Sequence, residues 1–300
     1  MKKTIIFVLF IIMVIYAYTY RDNIYGIYYS YFVPVENKVT DIEKNIYYRD
    51  YDFSYVQNIS DFIPQSKKDL LNIYYTIVNS GVNEFTFYCP KEYADCIDDV
   101  KNLSNDQITL SNINNFVHPY NSFKTIKTEV DTTGKIYVQI EKVYTDEMII
   151  ILNYKVDDII KENITDDMEL KDKIKKIHDY IINNTKYDKD RSDKKITQYK
   201  SDNAYGVLIE NHGLCGGYTD AMMLFLEKFN VKSYKIATEN HVWNYVKINN
   251  EWLHLDLTWD DPVSEDGKDI LDDKYFLIDD EALSKLEKDD HTYNADIYEQ

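Results

Sequence analysis

Between Ser66 and Ser80 the apolar residues Leu70, Ile73, Tyr74, Ile77 and Val78 recur at steps that line one side of a helix, and Gly81 stands where a helix stop belongs. The run EFTFYC that follows predicts a short strand, and Glu92 to Leu103 returns to helical spacing. SFKTIKTEV and KIYVQIEKVY alternate apolar and polar positions on either side of DTTG, the pattern of a hairpin with one buried face. Thr145 to Ile160 then predicts an apolar helix. These elements make an α+β unit with no evident chemistry of its own.

A second unit opens near Thr165 or Asp166, both suitable N-caps, with Leu170, Ile174, Ile177 and Ile181 stepping along one helical face. A polar, charged loop from Lys189 to Lys200 leads to NAYGVLIENHGLCGGYTDAMMLFLEKF, where Ala221, Met222, Phe225 and Phe229 again have helical spacing. HVWNYVKI and EWLHLDLTW alternate as two strands around Asn249 and Asn250, a dipeptide suited to a two-residue hairpin turn.

The N-terminus changes the expected location. MKK precedes an unbroken apolar stretch from Ile5 to Tyr18, which fits a secretory signal or a short membrane anchor; no small-residue pair near Ala17 offers a cleavage site, so the anchor is expected. Positive residues inside would leave the rest of the chain outside the cell. The expected organisation is a signal anchor or signal peptide at 1–21, a Tyr- and Asn-rich stalk at 22–50, an accessory α+β domain at 51–163 and a second domain at 164–300. With 34 basic against 52 acidic residues the net charge is −18, which opposes binding to nucleic acid. At 44% hydrophobic residues, with only 5 Pro and 8 Gly in 300 residues, the chain has the composition of a folded protein and not of a disordered one.

Cys215, within HGLCGGYTDAM, is placed at a helix start, where backbone N–H groups favour thiolate and small neighbours admit a substrate carbonyl. A buried, inert cysteine would give the same local pattern. The hairpin adds the rest. A two-residue turn at Asn249 and Asn250 sets Ile248 opposite Glu251 and Trp243 opposite Asp256, which brings His241 and Asp256 diagonally onto one face. Nucleophile, imidazole and orienting carboxylate together form the Cys-His-Asp version of the acyl-transfer triad.

In order, IHDYIINNTKYD, AYG, LCGGYTDAM, HVWNYVKINNEWLHLDLTWDDP and KYFLIDDE, spanning about residues 165 to 285, resemble the transglutaminase-like superfamily, specifically its bacterial extracellular branch. That resemblance implies a papain-like core, a nucleophile helix packed on an antiparallel sheet, with Cys215 as nucleophile, His241 as general base and acid, and Asp256 as the orienting carboxylate. It implies a cysteine acyltransferase or amide hydrolase acting on protein or peptide amides, without cofactor or metal; the expected location outside the cell points to envelope proteins or peptides as substrates. A catalytically idle module that binds envelope components is the competing expectation.

Three further readings complete the sequence. Cys89 and Cys96 are close enough to form a disulfide outside the cytosol, although separate buried thiols would serve equally. His178 has no ligand-spaced partner and is expected to be a structural hydrogen-bonder. Trp243, Trp252 and Trp259 are cleft or core aromatics, and the acidic run near Asp266 is a solvated loop.

Overall fold

The computed structural model describes residues 2–21, 41–262, 271–286 and 290–299. The acidic run near Asp266, and residues 22–40 of the expected stalk, lie outside them, while the rest of that stretch is packed onto the body, with Arg49 buried. Helix α1 (Lys2–Thr19) is followed, within the main body, by α2 (Lys67–Ser80), β1 (Glu84–Tyr88), α3 (Cys96–Asn105), α4 (Gln107–Asn114), β2 (Phe123–Val130), β3 (Lys135–Lys142) and α5 (Asp146–Asn163). The second half contains α6 (Leu170–Asn184), β4 (Lys186–Tyr187), α7 (Lys189–Lys194), α8 (Ala204–Leu208), β5 (His212–Gly213) and α9 (Cys215–Lys228). Strands β6 (Ser233–Ala237), β7 (Val242–Ile248), β8 (Glu251–Leu255) and β9 (Phe276–Ile278) follow, then the short helices α10 (Asp280–Leu283) and α11 (Ala295–Tyr298). The result is a mixed α and β fold whose two larger sheets are antiparallel.

The ends of α2 follow from its caps. The Ser66 side chain accepts the Asp69 N–H at the start, and Gly81, at φ 73°, closes the last turn in the left-handed region, which glycine enters without a Cβ penalty. Two sequence expectations are corrected. Neither Thr165 nor Asp166 caps α6: Thr165 closes a turn instead, its hydroxyl on Asp167 and its carbonyl accepting the Met168 N–H, and the helix starts at Leu170 behind Glu169. Part of the expected loop after Lys189 is helical as α7, whose N-cap Asp188 accepts the Arg191 N–H.

β2 and β3 form the expected hairpin, but β3 is the centre of its sheet because β1 adds to its other edge, with Phe85 opposite Val138. Cys89, just after β1, is joined by a disulfide to Cys96, the first residue of α3, with their Cα atoms 5.7 Å apart. Helix α1 carries exposed apolar side chains from Leu9 to Tyr18. Among the described residues no helix is long and apolar enough to cross a membrane, so the expected anchor is not shown.

The second large sheet has the order β6-β7-β8-β9, and its two faces bury different sets of residues. Val246, Ile248, Leu253 and Leu255 pack with α5, α6, α8 and α9. Tyr234, Ile236, Trp243 and Tyr245 join the core built by α2, α3, α4 and the β1-β3-β2 sheet. From the segment before α2, Arg49 reaches between these layers, donating to Glu227 of α9 and to the carbonyls of Phe116 and Ser233. The sheet at the centre of the second half is thereby covered on both sides, and its twist and register are held where the candidate site sits.

Candidate active site

Asn249 and Asn250 adopt φ values of 50° and 71°, the left-handed pair a two-residue hairpin turn requires, and asparagine tolerates them better than most residues. The register that follows runs from Ile248 opposite Glu251 to Asn244 opposite Leu255. His241 lies one residue before β7 and Asp256 one residue after β8, so both stand at the open end of the hairpin. There His241 Nε2 meets Asp256 Oδ2 at 2.5 Å.

Cys215 is the first residue of α9 and is half-buried. The first N–H groups of an α-helix have no intrahelical acceptor and point out of its start. Gly216 and Gly217 let the loop at Ser201 to Asn203 lie directly against this helix start: a Cβ on Gly217 would stand 2.3 Å from the Ser201 carbonyl oxygen. Thr219 Oγ1 donates to the Val242 carbonyl at 3.0 Å, and Asn244 Nδ2 donates to the Thr219 carbonyl at 3.1 Å, which fixes α9 to β7 and brings the cysteine to the histidine. Cys215 stands near enough to His241 to act on its protonation, and with Nε2 taken by Asp256, Nδ1 is the nitrogen free to face the thiol.

Electrostatics follow from this arrangement. Burial alone would depress the His241 pKa, but the charge and hydrogen bond of Asp256, with those of Cys215, outweigh it and push the imidazole up to about 10. Burial would raise Asp256, yet His241 and a second imidazole, His291, hold it down at about 2. Asp256 is completely hydrogen-bonded: Oδ2 accepts from His241 and His291, and Oδ1 from the N–H groups of Thr258 and Trp259. The polar atoms of His241, Asp256 and His291 lie within 4.8 Å of one another. The contacts of 2.5 and 2.9 Å are shorter than the separation of about 3.3 Å between neighbouring ligands on a tetrahedral zinc, which marks hydrogen bonding between these groups.

The structure therefore brings together all three residues the sequence singled out, Cys215, His241 and Asp256. His178 is buried and bonded to Asp179 and Asp260, as a structural histidine would be. Trp243 is a core residue, fully buried, its ring stacked beside His241. Sequence reasoning missed His291, which stands 35 residues from Asp256 in a tail with no periodic pattern; its only signal was a histidine near the chain end.

Residues 157–257 match the sequence model of the transglutaminase-like superfamily, whose members are typically cysteine-dependent enzymes. No curated protein matches the sequence. Among solved structures, one described as a TGase, with no organism in its description, is 15% identical over 45% of this chain and 44% of that one, with a TM-score of 0.34. Another, described as a "putative cysteine protease" from Cytophaga hutchinsonii, is 13% identical over 49% of this chain and 65% of that one, with a TM-score of 0.29. The chain thus spans under half of the first and just under two thirds of the second.

Proposed function

We propose that this protein is a cysteine acyltransferase or amide hydrolase that works through a thioester on protein or peptide amides. The observation that carries the reading is His241, held by Asp256 at 2.5 Å through Nε2 and raised in pKa by Asp256 and by Cys215, a cysteine at a helix start. The Cys215 sulfur adds to the amide carbonyl carbon, and the oxyanion faces the open N–H groups at the start of α9. The C–N bond breaks as the His241 imidazolium gives its proton to the departing amine, which leaves the acyl group on sulfur. An incoming amine or water then gives a proton back to His241 as it attacks the thioester, and the sulfur leaves as thiolate, releasing a new amide or an acid and restoring the thiolate–imidazolium pair. Asp256 keeps the imidazole in the Nε2–H tautomer throughout.

The Cys89–Cys96 disulfide favours an oxidising compartment, and the apolar N-terminal stretch favours export or anchoring, so envelope proteins or peptides are the proposed substrates. The test is alkylation of the full chain by iodoacetamide across the pH range, read at each cysteine by mass spectrometry, alongside His241→Ala and turnover of a peptide amide with amine and water as acceptors. Labelling of Cys215 that is fast below neutral pH and slowed in His241→Ala, together with turnover lost in Cys215→Ala, supports the reading. Slow labelling at every pH, indifferent to His241, overturns it in favour of an idle binding module.

A further inference from the structure

The tail that follows α10 returns to the open end of the hairpin. His291 Nε2 lies 2.9 Å from Asp256 Oδ2, the oxygen that His241 also engages. Its ring is boxed by Tyr275, stacked at 4.9 Å between centroids, by Trp243 at 4.8 Å and by Trp259 at 5.2 Å. The residue is 5% exposed, and among the described residues its Nδ1 finds no hydrogen-bond partner.

With an acceptor carboxylate oxygen at Nε2, that nitrogen carries a proton, and His291 is a donor of fixed direction. Its chain is pinned a few residues further on, where the Tyr298 hydroxyl accepts from Asn115 Nδ2 at 2.7 Å and donates to Asn112 Oδ1 at 3.2 Å. The titratable groups that surround His291 are Asp256, His241, Tyr275 and His254, and Asp280 and Glu299 line a pocket on its outer side.

We propose that His291 is a positioning residue of the cysteine site: its Nε2–H completes the hydrogen bonding of Asp256 and fixes the oxygen that receives the His241 N–H. This rests on the reading of Cys215 and His241 given above. With only the backbone N–H groups of Thr258 and Trp259 on Oδ1, the carboxylate could turn about its own axis. A second donor on Oδ2, beside His241, holds the plane in which His241 is met, and it stabilises the ionised carboxylate. The role passes through Asp256 to His241, and His291 itself touches no reacting atom.

Two variants of the full chain separate this from packing. His291→Phe keeps the ring in its aromatic box and removes the donor; His291→Gln gives up the ring and keeps a donor N–H at matching reach. Imidazole ¹⁵N NMR is expected to show a proton on His291 Nε2, and the His241 N–H resonance displaced in His291→Phe but restored toward its original position in His291→Gln. Cys215 labelling is expected to fall about tenfold in His291→Phe, with its acid limb moved to higher pH because Asp256 has lost a donor, and to recover in His291→Gln. A His291 that carries its proton on Nδ1 and leaves Nε2 bare overturns the proposal whatever Cys215 does. Equal losses of rate and Tm in both variants overturn it too, since only packing would then matter. Slow Cys215 labelling in the unmodified chain, with the His291 tautomer and the His241 displacement as expected, sinks the enzymatic reading and leaves the positioning of Asp256 standing.

Discussion

Trp243 donates its indole N–H to Nδ1 of His254 at 2.9 Å, so the residue beneath His241 is fixed by a hydrogen bond as well as by packing. His254 Nε2 reaches Asp280 at 2.8 Å, which sets the tautomer that leaves Nδ1 as acceptor. Burial holds His254 below its ordinary pKa, in keeping with a neutral ring. Trp243→Phe keeps most of the apolar mass but leaves Nδ1 of a buried histidine unpaired. It is expected to cost about 1–3 kcal/mol, read as a lower midpoint in urea with an unchanged slope.

Asp256→Asn tests the carboxylate twice. The amide offers N–H where two imidazole donors converge, so turnover is expected to fall by about a thousandfold or more. Its stability effect has a defined pH window. Asp256, lowered to about 2 from an ordinary value of about 3.9, stabilises the fold fully above that ordinary value and loses the effect as pH falls toward 2. His241, raised to about 10 from about 6.5, stabilises it fully below 6.5 and loses the effect as pH rises through 10. The stability advantage of the unmodified chain over Asp256→Asn should therefore be largest between about pH 4 and 6.5 and shrink on both sides, measured by urea denaturation across the range.

Gly217→Ala probes the seat of the nucleophile. The new methyl would overlap the Ser201 carbonyl and stand 2.9 Å from Val207 Cγ2, so the loop must move away from the start of α9. A loss of about 1–3 kcal/mol is expected, with slower Cys215 labelling in the native state. Labelling at the original rate would mean the loop does not help to hold the thiol.

Cys89→Ser with Cys96→Ser opens a loop of short sequence separation, 7 residues, worth about 2.5 kcal/mol on chain-entropy grounds. Because the bridge joins β1 to α3, away from the hairpin that carries His241, the double variant should melt earlier but label Cys215 at an unchanged rate.

The parts that were legible in the sequence are those fixed by local rules. Asn249 and Asn250 determine the turn, the turn determines the register, and the register delivers His241 to Asp256. Cys215 was readable because glycines and an apolar helical period surround it. What escaped depended on distant partners. The alternation of KIYVQIEKVY says that a face is buried but not that β1 would pair along its second edge. Thr165 had the chemistry of a cap, yet the chain uses it for a turn and starts α6 only at Leu170. Whether Cys89 and Cys96 would join turned on the spacing between β1 and α3, and His291 on the path of a tail whose sequence has no period at all.

The sheet with two covered faces has a consequence for how the molecule comes apart. Tyr234, Ile236, Trp243 and Tyr245 belong to the same core as the residues of α2, α3 and the β1-β3-β2 sheet, while their strand neighbours belong to the core of α9. Cutting the chain ahead of residue 157 to isolate the matched segment would strip one side of this aromatic layer and expose it to water. The two halves share this aromatic core, so the full chain is expected to lose structure in a single transition and the segment cut at residue 157 to be less stable alone.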